Sequence, residues 1–216
     1  MSDDATDTTD LYAVHDALRH EFAGLPLKVK AVADGDAERA SVVGGHVLFM
    51  CDFLEVHHES EDELVWPLLK ERSPEHDDLV ATMVEQHESL HGLTDRARDQ
   101  AAAWIDAPGN QERAALHTTL IALEKELLHH FAVEEQQVAP LVARDLTPAE
   151  WAAVGEHSRA AMSQEQLTIA LGLILDDTSA ERGAAILDSM PPEAREGFEQ
   201  FGRPAYAAYK ARLTDY

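Results

Sequence analysis

The chain has 216 residues, with 41 acidic side chains against 17 lysines and arginines, and a formal charge of -24. That length supplies core for one large domain or a domain with an appendage, and the acidity repels phosphate, which argues against DNA, RNA or an anionic membrane face as partner. A single cysteine, Cys51, excludes an intramolecular disulfide and fits a reducing cytoplasm.

The amino terminus, MSDDATDTTD, is acidic where a secretory signal would be basic and then apolar, and no run of roughly eighteen apolar residues offers a membrane span. A soluble cytoplasmic protein is expected. Gly and Pro are sparse, and no segment sustains period-two alternation of β-branched residues, so the expected class is all-α.

Residues 1–9 read as a disordered tail. A first helix from Asp10 to about Ala33 carries the stripe Leu11, His15, Leu18, Phe22, Leu25, Val29, Val32, which turns His15 inward, and Gly24 with Pro26 predicts a bend. Asp34-Gly35-Asp36 turns the chain into a second helix that ends between Pro67 and Ser73-Pro74. Its stripe, Val43, Val47, Met50, Leu54, His57, Glu61, Leu64, Leu68, changes from apolar to metal-binding without changing its spacing. A third helix, from Pro74 to about Ala107, repeats the pattern through His76, Val80, Met83, His87, Leu90, Thr94, Ala97 and Ala101, with His91 on an adjacent row. After the Pro108-Gly109-Asn110 turn a fourth helix reads Leu116, Leu120, Leu123, Leu127, His130, Glu134, Leu141.

Beyond Leu146 the pattern changes. Thr147-Pro148 opens a helix of Ala149 to about Leu175, Ser179 caps a short helix to Met190, and Pro191-Pro192 starts a last stretch to Leu213 broken near Gly202 and Pro204. The domain reading is therefore a tail over 1–9, an antiparallel up-down four-helix bundle over 10–146, and a helical extension over 147–216. The extension is expected to pack on the bundle or to form a dimer surface, so the chain is a monomer or a homodimer.

An internal repeat supports the bundle independently of the stripes. HHESEDELVWPLL at 57–69 aligns without gaps to HFAVEEQQVAPLV at 130–142, pairing His57 with His130, Glu61 with Glu134, Val65 with Val138 and Pro67 with Pro140. VHDAL at 14–18 likewise resembles QHESL at 86–90. Two hairpins, each with a lone His on its first helix and HxxxE on its second, would meet around a common centre.

A lone inward His is ordinarily a hydrogen-bonded core residue. Four on separate helices, two of them with Glu one turn later, instead point to a metal site, because buried imidazoles and carboxylates need a neutralising partner. The candidates are His15, His57, Glu61, His87, His130 and Glu134, with His91 as a seventh; neutral imidazoles with carboxylates suit iron, manganese or zinc. A competing reading pairs Glu55 with His58 and Glu126 with His129, the Glu-x-x-His signature of ferritin-like di-iron oxidases, with Glu21 and Glu88 as extra carboxylates. It would place the site on a polar face, since the row of His58 runs through Cys51, Glu55 and Asp62.

These residues resemble the hemerythrin family, specifically the hemerythrin/HHE cation-binding domains, over residues 10 to about 143. The resemblance rests on His15, on His57 with Glu61, on His87 with His91, and on His130 with Glu134. It implies two iron ions joined by an oxo or hydroxo bridge, with Glu61 and Glu134 bridging, His15 and His57 on one iron, and His87, His91 and His130 on the other. The chain departs from oxygen-carrying hemerythrins in spacing its fourth-helix His and acid by four instead of five. The function implied is binding or sensing of O2, H2O2 or NO; the alternatives are an iron-responsive interaction protein and a catalase-like enzyme using the same centre.

Overall fold

Apolar residues at three- and four-residue steps bury one face of each long helix, and the computed structural model, which describes residues 5–214, contains no strand among them. Helix α1 spans Thr9–Ala31, α2 Ala37–Leu64, α3 Trp66–Arg72, α4 Asp77–Asp106, α5 Asn110–Val133 and α6 Ala139–Asp145. Helix α1 packs against α2 and α5, and α4 packs against the same two, so the four long helices enclose one core. Leu18, Phe22, Leu25, Val43, Met50, Leu54, Leu90, Leu116, Leu120 and Leu127 fill it. None of the described helices is long and apolar enough to cross a membrane.

Both hairpins that carry the HxxxE repeat distort at the same place. Pro67 and Pro140 have no N–H to donate and crowd the carbonyls four residues earlier. Helix α2 accordingly stops at Leu64 and restarts as α3 after Val65, while α5 passes through a π turn, Glu134–Val138, into α6. The two breaks fall at Val65 and Val138, which the repeat pairs. A π turn so close to buried polar residues is a frequent mark of a functional site.

The expected disordered tail is only partly within view, since residues 1–4 lie outside the described residues. Thr6 is buried and tied to the end of α6, its amide donating to the Ala143 carbonyl (2.9 Å) and its hydroxyl to that of Leu146 (2.6 Å), so this part of the segment is held in place.

The extension contains α7 Pro148–Ala161, α8 Gln164–Asp176, α9 Ala180–Ser189, α10 Pro192–Gly197 and, after a π turn at Phe198–Gly202, α11 Arg203–Thr214. One helix was expected over 149–175; two form, because Ser163 makes a capping box with Gln166 that starts α8 afresh. Helix α7 covers α2, with Ser60 and Ser158 hydroxyls 2.7 Å apart, α8 packs on α1, and α11 packs on α8 and α2.

Candidate metal centre

The site lies where α1, α2, α4 and the α5 π turn come together. Two clusters of donor atoms form there, each with all its atoms within 4.8 Å of one another: His15, His57, Glu61 and Glu134, and His58, His87 and His130. Glu61 belongs to both neighbourhoods, because its Oε1 lies 3.5 Å from His57 Nε2 and its Oε2 lies 3.6 Å from His87 Nε2. Glu134 Oε2 likewise faces His15 Nε2 at 3.3 Å and His130 Nε2 at 3.5 Å. Each carboxylate therefore joins histidines from different helices.

The back of several rings is fixed. His15 Nδ1 meets Glu135 Oε1 at 3.0 Å, and Arg19 holds that same carboxylate at 2.7 Å. His87 Nδ1 meets Asp62 Oδ1 at 2.7 Å, which also accepts the Trp66 indole N–H at 2.6 Å. His130 Nδ1 meets Gln86 Oε1 at 3.1 Å. An N–H donated outward leaves the Nε2 lone pair aimed inward, the arrangement that orients metal-binding histidines. Phe131 stacks on His15 with ring centroids 3.9 Å apart and walls that side.

Apart from the His15–His57 contact, the donor atoms do not satisfy one another. His58 Nε2, His87 Nε2, His130 Nε2, Glu61 Oε2 and Glu134 Oε2 are all buried without a hydrogen-bond partner. Five such groups at one point are costly in an apolar interior. Donors sharing an ion at about 2.1 Å, with angles near 90–110°, lie roughly 3.0–3.5 Å apart. His15 Nε2 to His57 Nε2 is 3.1 Å, and the imidazole–carboxylate separations of 3.3 to 3.6 Å fall at or close to that range. The residues present fit metal ions.

Electrostatics without an ion show the same tension. Burial, with the Glu134 carboxylate beside it, pushes the Glu61 carboxyl well above the usual range. Burial acts the same way on Glu134 but is outweighed by His15, His130 and His57, which hold it low. Burial and neighbouring imidazoles press His57 and His58 well below the ordinary histidine value, and burial brings His130 to about 3 despite Glu134. These three rings are thus kept neutral, the state that ligates metal; at His15 burial is outweighed by Glu134 and Glu135, which raise it.

Six of the seven residues picked out by spacing, His15, His57, Glu61, His87, His130 and Glu134, come together. His91 does not: its side chain is 57% exposed and faces Glu55 and Asp95 on the outside of α2 and α4. His58 stands in the buried cluster instead, stacked on His87. At 3.6 residues per turn, His57 and His58 straddle the inward direction set by Leu54, and Leu54, His58, Glu61, Val65, Leu69 is as good a helical row as the one through His57. The row of His58 was expected to be solvated; Cys51 and His58 are in fact buried, since α4 packs along α2 and α7 covers it further. The signal that could have found His58 was the HH doublet itself, one ring for each of the two donor clusters.

The competing ferritin-like set does not assemble. Glu126 and His129 are exposed on α5, Glu55 is taken by Arg98, Glu88 is exposed, and Glu21 is bonded to His46.

Imidazoles and carboxylates from four helices, buried and aimed at one point, define a helical metal-binding protein. The chain belongs to the hemerythrin HHE cation-binding domain family, whose model matches residues 6–142. No significant match was found among curated proteins or among solved structures.

Proposed function

We propose that this chain is a non-haem two-iron protein that binds or senses small oxygen-derived molecules, O2, H2O2 or NO. The observation that carries the reading is the convergence of five buried, partnerless donor atoms on a region spanned by two carboxylates. His15 and His57 would hold one ion, His58, His87 and His130 the other, and Glu61 and Glu134 would serve both. The ring of contacts among α1, α2, α4 and α5 supports the up-and-down four-helix arrangement, with the extension packed on α1 and α2.

Iron bound there would supply redox-active coordination chemistry toward small oxygen-derived ligands. The chain's own groups set its surroundings. Phe131 and Trp66 exclude water, while Glu135, Asp62 and Gln86 lock three imidazoles by their Nδ1 atoms. His57, unlike the others, retains partial exposure, so a small ligand would arrive beside it.

Metal analysis of protein purified without added metal, followed by anaerobic iron loading and exposure to air, tests this. Two irons per chain and near-ultraviolet charge-transfer bands are expected. A colourless protein retaining less than one metal per chain would overturn it. Oxygen evolution from added peroxide, above that of free iron, would assign the catalase-like form of the same centre.

A further inference from the structure

A second buried polar chain lies far from the metal centre, where α11 crosses α2. Tyr209 places its hydroxyl 2.6 Å from His46 Nδ1, and His46 Nε2 lies 2.9 Å from Glu21 Oε2. His46 is 1% exposed and Glu21 9%, and Lys28 Nζ reaches the same carboxylate oxygen at 3.1 Å. With the Nε2 proton donated to the Glu21 carboxylate, Nδ1 presents its lone pair to the phenol. The other phenols lack such a base among the described residues: Tyr12 reaches only the Glu135 carbonyl, and Tyr206 donates to the carboxylate of Asp176, not to an imidazole.

Aromatic rings connect this phenol to the direction of the metal centre. Tyr209 lies 6.4 Å from Phe49, and Phe49 lies 6.1 Å from Phe53, one turn before His57 on α2. His46 itself stands eleven residues before His57, about 16 Å along the helix. Tyr209 also lines a cavity of about 560 Å³ between α2, α8 and α11, with Asp52, Glu165, Gln166 and Arg212 at its polar walls, which gives a small solute access to the ring.

We propose that Tyr209 is a redox-active tyrosine with His46 as its proton acceptor. On oxidation the phenol loses one electron to a one-electron oxidant and its O–H proton to His46 Nδ1. The product is a neutral tyrosyl radical hydrogen-bonded to an imidazolium that Glu21 stabilises. A small water-soluble one-electron donor entering the cavity returns the electron, and the proton goes back to the phenol oxygen. The tyrosine–histidine pair stands apart from the metal reading; only the identity of its oxidant, the iron centre after exposure to peroxide, rests on it.

The full chain incubated with zinc, which is redox-silent, is exposed to a flash-generated ruthenium(III) oxidant, frozen and examined by electron paramagnetic resonance. A tyrosyl signal is expected that disappears in Tyr209→Phe, persists in Tyr206→Phe, and decays about tenfold faster in His46→Gln and in the milder Glu21→Gln, as loss of a charge-assisted hydrogen bond implies. A signal that survives Tyr209→Phe, or one whose lifetime ignores both relay variants in protein that still melts cooperatively, overturns the proposal. The iron-loaded chain treated with peroxide forms the second arm. The same radical there identifies the metal centre as the oxidant; a radical in the zinc arm alone keeps the pair and removes the centre from that role.

Discussion

His58 and His87 lie face to face, ring centroids 4.2 Å apart and planes 20° from parallel, with both Nε2 atoms buried and partnerless. Two helices thereby deliver two imidazoles to one half of the site. The expected consequence is that His58→Ala lowers bound metal from two ions per chain towards one, while His91→Ala leaves the stoichiometry intact. The exposed change should move stability by less than about 0.5 kcal/mol. Metal analysis and thermal melting of the two variants check this, and equal losses in both would reverse the roles assigned to them.

Metal should act as a folding partner. An ion that binds only the folded chain, present at a hundred times its dissociation constant, adds about 2.7 kcal/mol. For a chain of this size that is a rise in melting temperature of roughly 5–10 °C. Calorimetry with and without chelator measures it, and coincident melts would show that the orphaned donors are satisfied without metal.

The groups behind the ligands should matter nearly as much as the ligands. Asp62 is shared by His87 and the Trp66 indole, so Asp62→Ala frees the His87 ring to rotate and leaves the indole without its acceptor. Weakening of metal affinity by about 10–100-fold is expected, read by competition with a coloured chelator. Glu135→Ala, which releases His15 and Arg19, should behave similarly.

Acid stability should depend on Glu21. Burial raises its carboxyl, but bonds to His46 and Lys28 prevail and hold it at about 2. A carboxyl whose folded value is depressed contributes fully above its unfolded value, roughly 4.3, and the contribution is lost as pH falls towards 2. Glu21→Gln is therefore expected to cost up to about 3 kcal/mol at neutral pH and to flatten the acid limb of the stability curve between pH 4.5 and 2. Denaturant titrations across that interval check both.

Cys51 should be inert in the folded chain. Burial pushes its thiol up to about 12, with Arg98 only partly opposing, and no part of the side chain faces solvent. Ellman's reagent is expected to titrate one thiol only after unfolding.

Spacing determined the four long helices, most of their inward faces and the six candidate donors that come together. His76, Val80, Met83, His87, Leu90, Thr94, Ala97 and Ala101 were marked as one inward row by their three- and four-residue steps; all from Val80 onward are buried, whereas His76, in the turn before α4, is 37% exposed. The HxxxE repeat located Glu61 and Glu134, because a helix carries its side chains at angles the sequence fixes.

What only the tertiary structure decided was which of two adjacent rows faces in. His57 and His58 flank one direction, and a single helix does not distinguish them; α1 and α5 bring His15 and Phe131 against His57, and α4 and α5 bring His87 and His130 against His58. His91 sits one turn beyond His87, which moves it about 6 Å along the axis and out to Glu55 and Asp95. The meeting of His46 with Tyr209, 163 residues apart, likewise depends on long-range packing, whereas the split of the first extension helix at Ser163 comes from a local capping box with Gln166. Local periodicity sets the angle of a side chain on its own helix; only neighbouring helices set whether that angle ends at a metal, a base or water.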